Sequence, residues 1–276
     1  IGKIQPSAYG VGKLIAMKPL AGGFDLDVVR NTTATRYNSS SLIETVAANV
    51  PRLDYFGVTC PSVLVEAQST NLFDYSEDFA NAYWTKTRAG ITSDSIASPI
   101  ASTNSDKMIP TAVSGNHFVR RTTATTNDSY IFSGFFKDGG YNIWLRFIEA
   151  GTFTGSKSVV TYPNGWYRIE VKINVPSGEA NLISSMFAYN GAVSFTADGT
   201  SGFYVIGAQL EIQAAATSYI PTSGASATRN ADVMSVTGLS GITTLTETFE
   251  DDSTNVISSP STYTMSNGRI KKVITV

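Results

Sequence analysis

Apolar and polar residues alternate with a period of two along much of the chain, which is the pattern of β-strands that bury one face. The clearest run begins at Trp166. Tyr167, Ile169, Val171 and Ile173 share one face of that predicted strand, while Trp166 and three charged side chains share the other. Because burial of apolar surface is the dominant favourable term in folding, the face that carries Ile169 is predicted to line a core.

Short runs of this kind recur over residues 71–230, separated by turn residues, and predict an antiparallel β-sandwich. No stretch there shows the period of an amphipathic helix that could cover a parallel sheet. Within residues 142–148, Ile143, Leu145 and Phe147 alternate with Trp144. Three apolar residues favour the core side, so Trp144 is predicted to point outward.

The flanking residues predict three further regions. Residues 1–23 are rich in Gly, Pro and Lys without a sustained period, and we predict an extended attachment arm. Residues 24–70 contain short strand patterns and form a β-rich lead-in segment. Residues 231–276 predict a small β tail with a hairpin around Asn267 and Gly268, a pair suited to a type I′ turn. A hairpin alone is marginally stable in water, so a partner surface is expected.

Composition narrows the range of functions. Of the 276 residues, 15% are charged, below the roughly 25% average of soluble domains, and the net charge is −2. No Lys/Arg stripe could follow a phosphate backbone, so a nucleic-acid partner is not expected. The single cysteine, Cys60, excludes an intrachain disulfide and fits folding in a reducing cytoplasm. No apolar run approaches the length that crosses a membrane, so membrane insertion is not expected.

The sequence indicates no catalyst. His117 is the only histidine and Cys60 the only cysteine, so neither a Cys–His nucleophile nor a zinc site of clustered ligands is indicated. A glycosidase needs two carboxylates at a set separation, and the pattern of acidic residues does not single out such a pair. We therefore expect a protein that is not an enzyme, and we predict no catalytic residue.

Three segments resemble a pattern that recurs in tailed-bacteriophage fibre and spike proteins, in that family's order. They read FDLDVVRNTTATRYNSSSLIETVAANVPRLDY at residues 24–55, NLFDYSEDFANAYW at 71–84, and GAQLE followed by SYIPT within 207–222. The resemblance implies a head fibre, a head spike or a tail fibre. It also implies a homotrimer that attaches to capsid or tail proteins of the virion and is assembled in the host bacterial cytoplasm.

Residues 71–222 are similar to jelly-roll carbohydrate-binding modules, so the implied fold of this part is a jelly-roll β-sandwich. Such modules often hold one structural calcium ion between the first and last strands, and no other cofactor is implied. In this chain the corresponding oxygen ligands would be those of Asn71, Glu77 and Asp78 near the start and of Glu211 near the end.

Aromatic rings offer flat apolar surfaces to sugar rings, so Tyr141, Trp144 and Tyr189 are the predicted carbohydrate-binding residues. An outward Trp144 also fits packing between subunits. The predicted function is that of a virion structural protein that projects from the particle and binds host-surface glycans. Two alternatives remain: a polysaccharide depolymerase spike, and a glycan-binding module of a secreted bacterial protein.

Overall fold

The computed structural model describes residues 2–4, 6–11, 13–16, 25–101, 103–148, 157–237 and 239–276. These residues form strands joined by turns, and no α-helix occurs among them. The prediction of an all-β antiparallel fold is confirmed. A single 3-10 turn, Pro163–Gly165, stands between two strands. Within the described ranges, no helix is both long and apolar enough to cross a membrane.

Contacts divide the chain into two compact units. Unit 1 comprises Ile1–Gln68 together with Arg229–Val276, and unit 2 comprises Ser69–Thr228. The sequence pattern predicts four consecutive regions, whereas the structure combines both ends of the chain in unit 1. The jelly-roll order of strands stays a prediction.

The strands are numbered in chain order. The first part of the chain contains β1 Gly2–Ile4, β2 Pro6–Gly10, β3 Lys13–Ala16, β4 Asp25–Val29, β5 Ala34–Tyr37, β6 Ile43–Val46, β7 Arg52–Asp54 and β8 Ser62–Val65. The middle part contains β9 Ser69–Asn71, β10 Thr85–Thr87, β11 Ala89–Ala97, β12 Asn104–Pro110, β13 Ser114–Asn116, β14 Phe118–Ala124, β15 Ser129–Gly139, β16 Asn142–Ile148, β17 Lys157–Thr161, β18 Trp166–Asn174, β19 Asn181–Tyr189, β20 Ser194–Thr196, β21 Gly202–Ile212 and β22 Ala227–Arg229. The last part contains β23 Val233–Thr237, β24 Thr244–Phe249, β25 Thr254–Ser258, β26 Thr262–Thr264 and β27 Gly268–Thr275.

Unit 2 is a sandwich of two larger antiparallel sheets; among the described residues, β13 also pairs with β20 and β22 with β9 in two-stranded sheets. One larger sheet has the strand order β11-β12-β21-β15-β18-β17, and the other has the order β10-β14-β19-β16. A single apolar cluster contains side chains of both sheets, among them Phe132, Leu145, Val171 and Met186. Ile169, Val171 and Ile173 are buried in this cluster, so the predicted core face of β18 is confirmed.

Among its described residues, unit 1 contains two larger sheets and one two-stranded sheet. The first larger sheet has the order β25-β24-β27-β8-β7, with β1 also paired to β27, and the second has the order β2-β3-β4-β23-β26. The two-stranded sheet pairs β5 with β6. Apolar side chains of both larger sheets form one core cluster: Leu26, Val28, Val63, Val65, Met234, Leu245, Tyr263, Met265, Ile270 and Val273.

The predicted hairpin around Asn267 and Gly268 is wrong. Strand β26 pairs with β23, whereas β27 pairs with β24, β8 and β1, so the two strands lie in different sheets. Gly268 has φ 139°, but Asn267 has no positive φ, and a type I′ turn needs one at both residues. The chain crosses between sheets here because Tyr263 and Ile270 both reach the same core. The hairpin of this region is β24–β25.

The described residues of the expected arm are extended and pair within unit 1. Strand β1 pairs with β27, β2 pairs with β3, and β3 pairs with β4. Residues 17–23 of that predicted arm lie outside the described residues. Pairing in sheets satisfies the backbone N–H and C=O groups of these residues, which a free arm would leave to water.

Candidate functional site

The structure brings together two of the three predicted carbohydrate-binding residues. Trp144 on β16 points outward and is 43% exposed, and Tyr189 on β19 meets it edge-to-face with ring centroids 5.4 Å apart. Tyr141 is buried against Phe195, and its hydroxyl oxygen accepts a hydrogen bond from the backbone N–H of Asp198 at 3.1 Å. Trp144 and Tyr189 therefore share a surface to which Tyr141 does not contribute.

That surface is the outer face of the sheet β10-β14-β19-β16. The register places Phe118 of β14, Phe187 of β19 and Trp144 of β16 in one row across three strands. The rings of Phe118 and Phe187 lie 4.8 Å apart. Phe187 faces outward but is only 3% exposed, because its row neighbours flank it on both sides. The row is therefore a continuous apolar strip whose most exposed member is Trp144.

The next row on the same face carries two cations. The register aligns Arg120 of β14, Ser185 of β19 and Arg146 of β16. The guanidinium of Arg120 lies 5.3 Å from the ring centroid of Phe118, and that of Arg146 lies 5.5 Å from that of Phe187. Cation–π contact holds both guanidinium groups against the sheet. Together these side chains form what we call the aromatic–arginine face: Phe118, Arg120, Trp144, Arg146, Ser185, Phe187 and Tyr189.

The sheet that carries this face is strongly positive for a chain with a net charge of −2. Its four strands contain Lys86, Arg120, Arg121 and Arg146 and no Asp or Glu. In the part of the chain that the structure describes, no carboxylate forms an ion pair with Arg120 or Arg146. The charge of these two arginines is therefore not compensated by a described neighbour.

Ser185 lies between Arg120 and Arg146 in the register and is 0% exposed. Its hydroxyl oxygen has no hydrogen-bond partner among the described residues. Most buried polar side-chain atoms are hydrogen-bonded, and an unsatisfied one costs about 1–3 kcal/mol. The face therefore combines the exposed ring of Trp144, two arginines that form no ion pair with a described residue, and a hydroxyl that has no hydrogen-bond partner among the described residues.

The predicted calcium ligands Asn71 and Glu211 are buried and engaged with protein groups. The side-chain oxygen of Asn71 accepts hydrogen bonds from the backbone N–H groups of Phe73 and Leu210, both at 3.2 Å. The carboxylate of Glu211 accepts from the hydroxyl of Ser69 at 2.7 Å and from the backbone N–H of Thr217 at 3.1 Å. The bond from Leu210 to Asn71 and the bond from Ser69 to Glu211 join β9 to β21 through side chains.

The other two predicted calcium ligands, Glu77 and Asp78, form hydrogen bonds with different residues. Glu77 accepts a hydrogen bond from the hydroxyl of Tyr219 at 2.8 Å, and exposed Asp78 accepts from the backbone N–H of Asn81 at 3.0 Å. Burial raises the pKa of Tyr219 well above its usual value, and the nearby Glu77 charge raises it further. Among the described residues, no group of three or more His, Cys, Asp or Glu side chains could hold a metal ion. Calcium binding stays a prediction.

The single histidine is buried within unit 2. Its Nδ1 lies 2.9 Å from the backbone oxygen of Arg88, and its Nε2 lies 3.2 Å from that of Phe195. Both ring nitrogens of His117 therefore face backbone carbonyls. One carbonyl lies between β10 and β11, and the other lies on β20.

Sequence reasoning missed Phe118, Arg120, Arg146, Ser185 and Phe187. The available signal was the alternation itself, since positions 118 and 120, 144 and 146, and 185, 187 and 189 each share one face of a predicted strand. What could not be predicted was which strands are neighbours and in which register.

No family model matches the sequence of this chain. No curated protein matches it either.

Proposed function

We propose that this chain is a virion structural protein, a head fibre, head spike or tail fibre, that binds host-surface glycans through the aromatic–arginine face. The proposal has two supports. The sequence of residues 24–55, 71–84 and 207–222 resembles phage fibre and spike proteins. The single observation that carries the glycan part is the outward Trp144–Tyr189 pair beside the Phe118–Phe187 strip.

The physical argument for a sugar is the shape of the strip. The C–H side of a pyranose ring is flat and apolar, so it packs on an aromatic ring in the way other apolar surfaces do. Within the row the central ring, Phe187, is only 3% exposed, so the ring open to a sugar is that of Trp144, with Tyr189 edge-to-face beside it. An exposed aromatic pair on the outer face of a sheet suits contact with a polysaccharide chain.

Weak binding at each face is sufficient for a fibre. The proposed homotrimer would present several copies of the face, and linked sites raise overall avidity by roughly 10²–10⁴ when geometry allows simultaneous contact. In this proposal the chain attaches the particle to its host and performs no chemical step. A glycan-binding module of a secreted bacterial protein would use the same face, so the virion assignment needs its own test.

The binding test compares Trp144→Ala with Tyr204→Ala on a panel of host-surface polysaccharide extracts. Tyr204 is the control because it is a partly exposed aromatic residue of the other sheet of unit 2, with Lys107 at 5.6 Å from its ring. Removal of a central aromatic contact costs about 2 kcal/mol or more, so Trp144→Ala is expected to weaken binding roughly 30-fold. Tyr204→Ala is expected to leave it unchanged.

Sedimentation velocity of the same variants separates binding from subunit packing. If Trp144→Ala dissociates an oligomer and leaves glycan affinity per subunit unchanged, the face is a contact between copies and the glycan proposal is wrong. Immunogold labelling of intact particles with an antibody against this chain tests the virion assignment. Absence of label on particles from cells that express the chain would contradict it.

A further inference from the structure

We propose that the glycan recognised by the aromatic–arginine face is acidic, and that the row Arg120–Ser185–Arg146 binds its anionic group. This inference rests on the proposed function and specifies its ligand class. The shared chemistry is an oxyanion carried by a sugar ring, either a carboxylate or a sulfate ester. Neutral polysaccharides would then be poor ligands.

The first argument is distance. Two residues along a strand span about 6.5–7 Å, so this is the distance between the Arg120–Ser185–Arg146 row and the Phe118–Phe187–Trp144 row. A substituent of a sugar ring can bridge that distance. A pyranose that packs on Trp144, the exposed ring of the aromatic row, can direct a ring substituent toward Arg146, two residues along the same strand. Both rows lie on the same face of the same three strands, so one sugar residue can contact both.

The second argument is charge. Arg120 and Arg146 have no described ion-pair partner, and the four strands of their sheet carry no acidic residue. Arginine matches a carboxylate or sulfate with two parallel N–H donors. The aromatic rings under both guanidinium groups already restrict the conformations of the two arginine side chains. Less side-chain entropy is therefore lost when a ligand binds. A neutral sugar would leave both charges without an acceptor.

The third argument is independent of charge. Ser185 sits between the arginines with a fully buried hydroxyl that donates to no described group. When the side chains that cover this hydroxyl move aside, an oxyanion held between Arg120 and Arg146 would accept a hydrogen bond from it. A donor of this kind is unfavourable in the free protein and satisfied in the complex, so its removal is expected to weaken binding without lowering stability.

The experiment uses one host-surface polysaccharide extract in three forms: untreated, carboxyl-reduced with carbodiimide and borohydride, and desulfated by solvolysis. The full chain is expected to bind the untreated extract at least about tenfold more tightly than one of the treated forms, which corresponds to roughly 1.4 kcal/mol. The treatment that removes binding identifies the anion as a carboxylate or a sulfate. Polygalacturonate and dextran sulfate serve as defined probes of the same two anions.

Three variants test the named residues. Arg146→Gln is expected to weaken binding of the untreated extract about tenfold and to flatten its dependence on salt. Lys107→Gln is the matched control, because it removes one cation that also lies over an aromatic ring on the other sheet. Ser185→Ala is expected to weaken binding about threefold while its melting temperature stays equal or rises, because it removes an unsatisfied buried hydroxyl.

The outcomes are separable. The acidic-ligand inference is wrong if all three forms of the extract bind equally, Arg146→Gln leaves the affinity unchanged and Trp144→Ala still lowers it. That result would leave the proposed function standing. Absence of binding to the untreated extract and to both defined probes overturns the proposed function itself. Equal loss in Arg146→Gln and Lys107→Gln would show that only net charge matters, which also contradicts the inference.

Discussion

The core of unit 2 is aromatic, whereas unit 1 buries a cluster of charged residues beside a smaller apolar core. In unit 2 the ring of Phe73 meets those of Trp84 and Phe132 at 5.0 and 5.5 Å. In unit 1 the side chains of Arg30 and Arg52 are fully buried and both donate to the fully buried carboxylate of Asp232. The first core depends on packed area and the second depends on paired charge.

The charged cluster of unit 1 joins segments that are distant in sequence. Arg30 lies 2.8 Å from Asp232, Arg52 lies 2.7 Å from Glu66, and Arg229 lies 3.5 Å from Glu66. Burial lowers the pKa of Arg30, and the hydrogen bond to Asp232 opposes that shift. Asp232 and Arg229 come from the last part of the chain and pair with each other at 3.8 Å, and their other partners Arg30, Arg52 and Glu66 come from the first.

This difference teaches how each unit specifies its fold. Unit 2 is one continuous stretch of chain, so local alternation and packing bring its strands together. Unit 1 is assembled from both ends of the chain, and we infer that directional charge pairs specify which segments meet. Breaking a buried ion pair costs about 3–5 kcal/mol, because the remaining charge loses its partner in a desolvated site.

The largest effect is expected from the aromatic core. Trp84→Ala removes the ring that packs on Phe73 and Phe79 and also the N–H that donates to the backbone oxygen of Tyr75 at 3.0 Å. We expect a loss of about 3–5 kcal/mol of unfolding free energy, seen as faster hydrogen exchange of amides within 69–228. The control Trp144→Ala is the same change at an exposed site and should cost little. Similar losses in both variants would contradict an aromatic core centred on Trp84.

A smaller but still large effect is expected from the charged cluster. Asp232→Asn keeps the size of the side chain and removes the charge that three buried arginines share, so we expect a loss of about 3 kcal/mol. Hydrogen exchange should rise in peptides of 1–68 and 229–276. Asp251→Asn changes an exposed carboxylate of the same unit and is the control. Unchanged exchange in Asp232→Asn would show that the cluster does not stabilise unit 1.

The smallest effect concerns alkaline pH. Burial, with a further contribution from Asp138, raises the pKa of Tyr167 in unit 2 to about 12, against about 10 in an unfolded chain. Because the folded state holds the proton more tightly, the stabilising contribution is complete below pH about 10 and is lost as pH rises through about 12. Tyr167→Phe should remove this loss. Difference titration of phenolate absorbance against that variant measures it, and ionisation near pH 10 would contradict the expected shift.

Local patterns determined which side of a strand is buried. Ile143, Leu145 and Phe147 are buried and Trp144 is exposed, as the alternation predicts. On β18 the alternation places Ile169 in the core, but Arg168 on the opposite face is buried as well. Successive side chains of a strand point to opposite faces whatever the strand pairs with, so this information is present in a few consecutive residues. For the same reason the all-β class could be predicted, and Trp144 could be chosen as a surface residue.

Tertiary structure decided which strands are neighbours. It thereby also decided which residues form the aromatic–arginine face. Tyr141 is buried because Phe195, far along the chain, packs on it, and the strands on either side of Asn267 and Gly268 separate into two sheets. Phe118, Phe187 and Trp144 form one row only because β14, β19 and β16 pair in this register. Pairing and register depend on how whole faces fill a shared core, and that depends on side chains distant in sequence, which no local pattern contains.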